Sequence, residues 1–206
     1  MKYNFQCSLL LFVVLLTPNL SVASPILDFT GGTASINSTG TYSYGWAFNV
    51  NSAITIDTLG VFDYLQDGLA ESHQVGIWNS SGTLLGSTTV GSGSAGTLDG
   101  RFRMIDVVDF TLNVGTGYII GSTNWDVDRL MLSVDSITTD SSITYVASKW
   151  RNTSGNLLAP TNSGSSLAYF GPNFSLASST VPEPGSLALL GLGLAGLSFS
   201  RRKRTK

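Results

Sequence analysis

The chain has 206 residues and a formal charge of -2; 42% of it is apolar and 12% charged, about half the ~25% charged content of ordinary soluble domains. Residues 25–180 carry 5 basic against 12 acidic side chains, net -7, so the body offers no basic face to nucleic acid. Cys7 is the only cysteine and lies in the leader, and His73 is the only histidine, which excludes disulfides, thiolate nucleophiles and cysteine-based zinc from the body.

Residues 1–23 read as a secretory signal peptide. Lys2 supplies the positive start, LLLFVVLL at 9–16 the apolar segment, and Ser21-Val22-Ala23 the small residues before a cut by signal peptidase between Ala23 and Ser24. The apolar segment is shorter than the roughly 20 residues of a membrane-spanning helix.

Short apolar runs separated by Gly, Asn, Asp and Ser clusters follow, the mark of strands and turns. Strands are expected at 45–50, 54–62, 74–78, 83–90, 101–108, 117–122, 130–134, 143–150 and 168–176. Phe102 and Met104 alternate with Arg101 and Arg103, as a pleated strand requires. Ile54 and Ile56 share a face, but Leu59 and Val61 continue one position out of phase. A one-residue slip turns a strand over, so a bulge is expected near Thr58. Asn79-Ser80-Ser81-Gly82 reads as a hairpin connection. No body segment sustains a 3.6-residue period, which leaves an all-β, antiparallel β-sandwich of jelly-roll or Ig-like type over 24–177. A signal helix precedes it, and a linker, transmembrane-like helix and basic tail follow over 178–206.

In that tail, Val181-Pro182-Glu183-Pro184 precedes the apolar run SLALLGLGLAGLSFS at 186–200, and Arg201-Arg202-Lys203-Arg204 ends it. The prolines are tolerated at a helix start, and the basic cluster would stay on the cytoplasmic side of a bilayer. The G-x-G-x-x-G at 191–196 follows no strand and lacks the acidic partner of a dinucleotide site, so it is read as helix packing.

Candidate chemistry in the body is sparse. No G-x-S-x-G elbow occurs, and His73, in a loop leading into a strand, reads as structural. Asp63, Asp67 and Glu71 cluster in one connection and Asp126 and Asp128 in another; either a glycosidase carboxylate pair or calcium ligation would use such acids. The sequence requires no cofactor. A structural calcium ion on Asp63, Asp67 and Glu71 with loop carbonyls is the one it allows. Among the aromatics, Trp46 and Trp78 look core-facing, whereas Trp125 and Trp150 sit in a loop and at a strand end, where sugar-stacking residues concentrate.

The order Pro-Glu-Pro, apolar helix, arginine-rich tail resembles the PEP-CTERM sorting signal of exported bacterial proteins. That resemblance implies recognition of Val181, Pro182, Glu183 and Pro184 with Arg201, Arg202, Lys203 and Arg204 by an exosortase, transient inner-membrane anchoring, and a Gram-negative producer of exopolysaccharide. The body pattern GWAFNV, HQVGIWNSSGTLLGSTTV and GTGYIIG resembles a family of exported β-sandwich domains of unknown function. The expectation is therefore a non-catalytic protein of the cell envelope or extracellular exopolysaccharide matrix, with glycan binding through Trp125 and Trp150. The alternatives are a small glycan-processing enzyme with paired carboxylates and a purely structural or adhesive protein.

Overall fold

The computed structural model describes residues 24–178, except 38, 40, 124, 165 and 166. The signal helix expected at 1–23 and the tail from residue 179, with its transmembrane-like helix, lie outside the described residues. Among those described, no helix is long and apolar enough to cross a membrane.

The described chain is nearly all β. Its strands are β1 (Leu27–Thr30), β2 (Thr33–Ser35), β3 (Tyr42–Val50), β4 (Ile54–Phe62), β5 (His73–Trp78), β6 (Leu84–Val90), β7 (Thr97–Asp99), β8 (Phe102–Leu112), β9 (Gly115–Ser122), β10 (Leu130–Leu132), β11 (Ser136–Thr139), β12 (Ile143–Asn152), β13 (Asn162–Ser163) and β14 (Pro172–Leu176). A six-stranded sheet runs β13-β12-β3-β9-β5-β6 and a four-stranded sheet β14-β4-β8-β7, while β1 with β11 and β2 with β10 form short ribbons. All these pairings are antiparallel.

The inner faces of the two large sheets share one core. The six-stranded sheet contributes Trp46, Phe48, Val75, Ile77 and Ile120, and the four-stranded sheet Ile56, Leu59, Val61, Leu112 and Phe174. Trp46 stacks on Phe174 with ring centroids 6.0 Å apart, and its indole N–H donates to the Pro172 carbonyl at 3.0 Å. One buried side chain thus supplies both apolar area and the partner that a buried carbonyl needs. A second aromatic cluster joins Phe29 of β1 to Phe62 and Phe102 at 5.4 and 6.2 Å, where β1 lies over one end of the four-stranded sheet.

The phase slip in β4 is present. β14 opposes Ser175 to Thr58 but Leu176 to Ile56, leaving Asp57 as the extra residue, and the β4–β8 register breaks at the same place. Ile54 and Ile56 therefore face the core on one side of the bulge, and Leu59 and Val61 on the other.

Two expectations need correction. The strand expected at 168–176 begins only at Pro172, because Leu167 and Tyr169 have positive φ (52° and 61°) and Ala168 and Phe170 turn into the interior. The run expected at 130–134 stops at Leu132, since Ser133 is left-handed with φ 51°.

The first and last described segments lie side by side. Ile26 donates its amide to the Phe174 carbonyl at 2.8 Å, and Pro25 bridges to Ser175. Both ends of the body leave it from one edge.

Replacing Trp46 by Phe removes the indole donor, orphans the Pro172 carbonyl and opens a cavity. Trp46→Phe is expected to lower the unfolding free energy by roughly 2–4 kcal/mol in urea titration monitored by circular dichroism.

Candidate functional site

The loops at one end of the body collect the residues that the sequence singles out. His73 opens β5 and is fully buried, with Nδ1 2.7 Å from the Thr123 carbonyl and Nε2 3.0 Å from Asp128 Oδ2. Both ring nitrogens face acceptors, so neither is free to serve a substrate. Asp128 also accepts the amides of Ala70 and Glu71, each at 2.9 Å, and so ties the 63–71 connection to the 123–128 loop. Burial pushes the Asp128 carboxyl up, but the hydrogen bonds from His73, Ala70 and Glu71 outweigh it and hold it below the ordinary carboxylate range.

The three acids expected to hold calcium are not brought together. Asp63 is buried, pairs with Arg103 Nε at 2.7 Å and accepts the Gly68 amide, whereas Asp67 and Glu71 are exposed. Among the described residues, no three His, Cys, Asp or Glu side chains are grouped to hold a metal ion. The turn between Asp63 and Asp67 is strained: Leu65 and Gln66 have φ of 69° and 62°, and Leu65 is 73% exposed.

The two tryptophans part company. Trp125 is only 1% exposed; its ring lies 4.5 Å from that of His73, and its N–H donates to the Ser122 carbonyl and hydroxyl. Gly171 packs so tightly on that ring that a Cβ there would overlap it. With both faces covered, Trp125 is a packing residue, which corrects its assignment to a sugar platform. Polar neighbours in the sequence do not reveal burial by segments more than 40 residues away.

Trp150 is half-buried near the end of β12 and opens a row of aromatics. Its ring lies 5.9 Å from Tyr42, which stacks on Tyr44 at 5.7 Å; Tyr44 in turn stacks on Tyr169 at 4.7 Å. All four rings are partly exposed. The row exists because β3 and β12 pair in register, Trp150 opposite Tyr44, and because alternation puts Tyr42 and Tyr44 on one face. Its polar atoms are held: Asn37 donates to the Tyr44 hydroxyl at 2.9 Å, and the Trp150 N–H donates to the Ser163 carbonyl at 3.2 Å. Burial, with Tyr169 and Tyr42 beside it, pushes the Tyr44 phenol up to about 12, so it stays neutral and able to donate. Tyr42, Tyr44 and Tyr169 are all candidate stacking aromatics in the sequence, but their adjacency is not legible there. Tyr169 joins them only through the left-handed turn before β14.

Asp128→Ala should cost roughly 2–3 kcal/mol of stability at neutral pH, because it strips three donors of their acceptor. A carboxyl held below its unfolded value contributes stability above about pH 4, and that contribution fades as pH falls through the folded value. The gap between wild type and Asp128→Ala in pH-resolved denaturation is thus expected to close on acidification.

Residues 180–204 match the PEP-CTERM protein-sorting motif. No curated protein and no solved structure was found to match the chain. The C-terminal segment is a PEP-CTERM motif, the recognition signal of the membrane processing enzyme exosortase, and it marks the chain as an exported, sorted protein.

Proposed function

We propose that the body is a non-catalytic β-sandwich domain, delivered by a Gram-negative cell to its envelope or exopolysaccharide matrix, that binds glycan along the aromatic row at Trp150. In this reading signal peptidase frees Ser24, and exosortase removes the tail near Pro182-Glu183-Pro184 while Arg201, Arg202, Lys203 and Arg204 remain on the cytoplasmic side. The PEP-CTERM match carries the sorting part. The aromatic row carries the binding part. Partly exposed rings 4.7–5.9 Å apart offer apolar faces to pyranose C–H surfaces, and Asn37 is a polar group at the row's margin, bonded to the Tyr44 hydroxyl. No metal or cofactor enters this reading. Asp63 is engaged by Arg103 and Asp128 by His73, which takes these two carboxylates out of a catalytic pair.

Two measurements check it. Replacing Pro182, Glu183 and Pro184 by alanine should leave the protein in the membrane fraction at its unprocessed mass, whereas unchanged processing would contradict exosortase handling. Calorimetric titration of the exported protein with the producer's own exopolysaccharide should give saturable heat, which Trp150→Ala weakens at least about tenfold, or about 1.4 kcal/mol. Equal binding by Trp150→Ala and wild type, or no heat at all, would favour a scaffold or adhesive role.

A further inference from the structure

The outward face of the four-stranded sheet carries acidic side chains outside any ion pair among the described residues. Asp57, Asp99 and Asp106 line a concavity of about 240 Å³ together with Thr58, Thr97 and Ser175. Among the described residues, the ion pairs join Arg101 to Asp28, Arg103 to Asp63 and His73 to Asp128, and none reaches these acids. Burial pushes the Asp57 carboxyl up, its own backbone amide eases that rise, and Asp109 and Asp106 push it further; burial alone raises Asp99.

The sheet register builds the concavity. Ser175 of β14 lies opposite Thr58 of β4, and Thr58 opposite Asp106 of β8, so three oxygen-bearing side chains stand in one row across adjacent strands about 5 Å apart. The bulge adds Asp57 beside Thr58, a use to which bulges are often put. Within this row Asp57 Oδ1, Thr58 Oγ1 and Ser175 Oγ are buried atoms with no hydrogen-bond partner, and Ser175 as a whole is only 2% exposed. The Thr58 hydroxyl lies near enough to ease the Asp57 charge but outside hydrogen-bond geometry. Three orphaned oxygens lining one acidic hollow are a costly arrangement unless something electropositive completes it.

We propose that this hollow is a divalent-cation site of calcium's class, in which Asp57, Thr58, Ser175 and Asp106 supply the protein oxygens and water the remainder. Calcium accepts mixed sets of carboxylate and neutral oxygens in flexible geometry, whereas magnesium demands a near-ideal octahedron. Zinc and copper favour nitrogen or sulfur ligands, which these residues do not offer. Two carboxylates with hydroxyls, rather than a cage of acids, set an affinity in the range of extracellular calcium modules, roughly 0.1–1 mM. The bound ion would clamp β14 to β4 and β8 immediately before the chain leaves for the sorting motif.

The test uses the full chain, purified in detergent, stripped with EDTA and melted during titration with calcium chloride or magnesium chloride. Calcium should raise the melting temperature saturably with a midpoint near 0.1–1 mM, and magnesium far less. Asp57→Asn and Ser175→Ala should each move that midpoint at least about tenfold upward. In EDTA, Asp57→Asn should melt no lower than wild type, since it removes an unneutralised carboxylate, which separates loss of the ion from loss of the fold. Asp67→Asn, in the exposed turn, should keep the wild-type response. The proposal is overturned if calcium up to about 20 mM leaves the melting temperature unchanged. It is equally overturned if Asp57→Asn and Ser175→Ala respond as wild type does, or if Asp67→Asn alone abolishes the response.

Discussion

The Trp46 indole is the interaction on which the two-sheet arrangement depends. It belongs to the central region of the six-stranded sheet, yet its ring stacks on Phe174 and its N–H closes on the Pro172 carbonyl, both in β14 of the other sheet. Apolar contact alone would let the sheets slide, since burial has no direction. The hydrogen bond has direction, and it fixes β14 against β3. That fixed position sets the turn before β14, and the turn delivers Tyr169 to the aromatic row and Phe170 to the space between Phe29 and Tyr145.

The bulge at Asp57 shows how a local irregularity serves two ends. On the inner face it corrects the phase, so that Ile54, Ile56, Leu59 and Val61 all reach the core despite their spacing. On the outer face the same irregularity sets Asp57 beside Thr58; Asp57 is the surplus residue against β14, whereas three residues of β8, Val107, Val108 and Asp109, span the same gap. A strand that kept phase would place fewer oxygens at that spot.

Much of the fold was legible in sequence because strand alternation is a local signal. The slip at Thr58 and the 54–62 strand could be read from Ile54, Ile56, Leu59 and Val61 alone. The short strands β1, β2, β7, β11 and β13 could not, since two to four residues carry no measurable period; their pairing is a property of partners distant in the chain. The candidate sites divide in the same way. The tail is a contiguous pattern and was readable from order alone. Trp125 was misread because its cover comes from His73 and Gly171, and Asp63 because its partner, Arg103, sits 40 residues on. The row of Ser175, Thr58 and Asp106 spans three strands and appears only once their register is known.

The adjacency of Pro25 and Ser175 has a mechanical consequence. β14 is an edge strand bonded to β4 alone within its sheet, and Ala177 makes one more hydrogen bond, to the Thr55 carbonyl. Any tension arriving through the C-terminal chain enters the body at this strand and loads its ladder before it reaches the core. The 25–26 segment lies along the other side of β14, so peeling that strand away must also break the contacts that hold the start of the domain. The fold thus has a seam at which the first and last described segments are fastened together, and resistance to extraction is concentrated there.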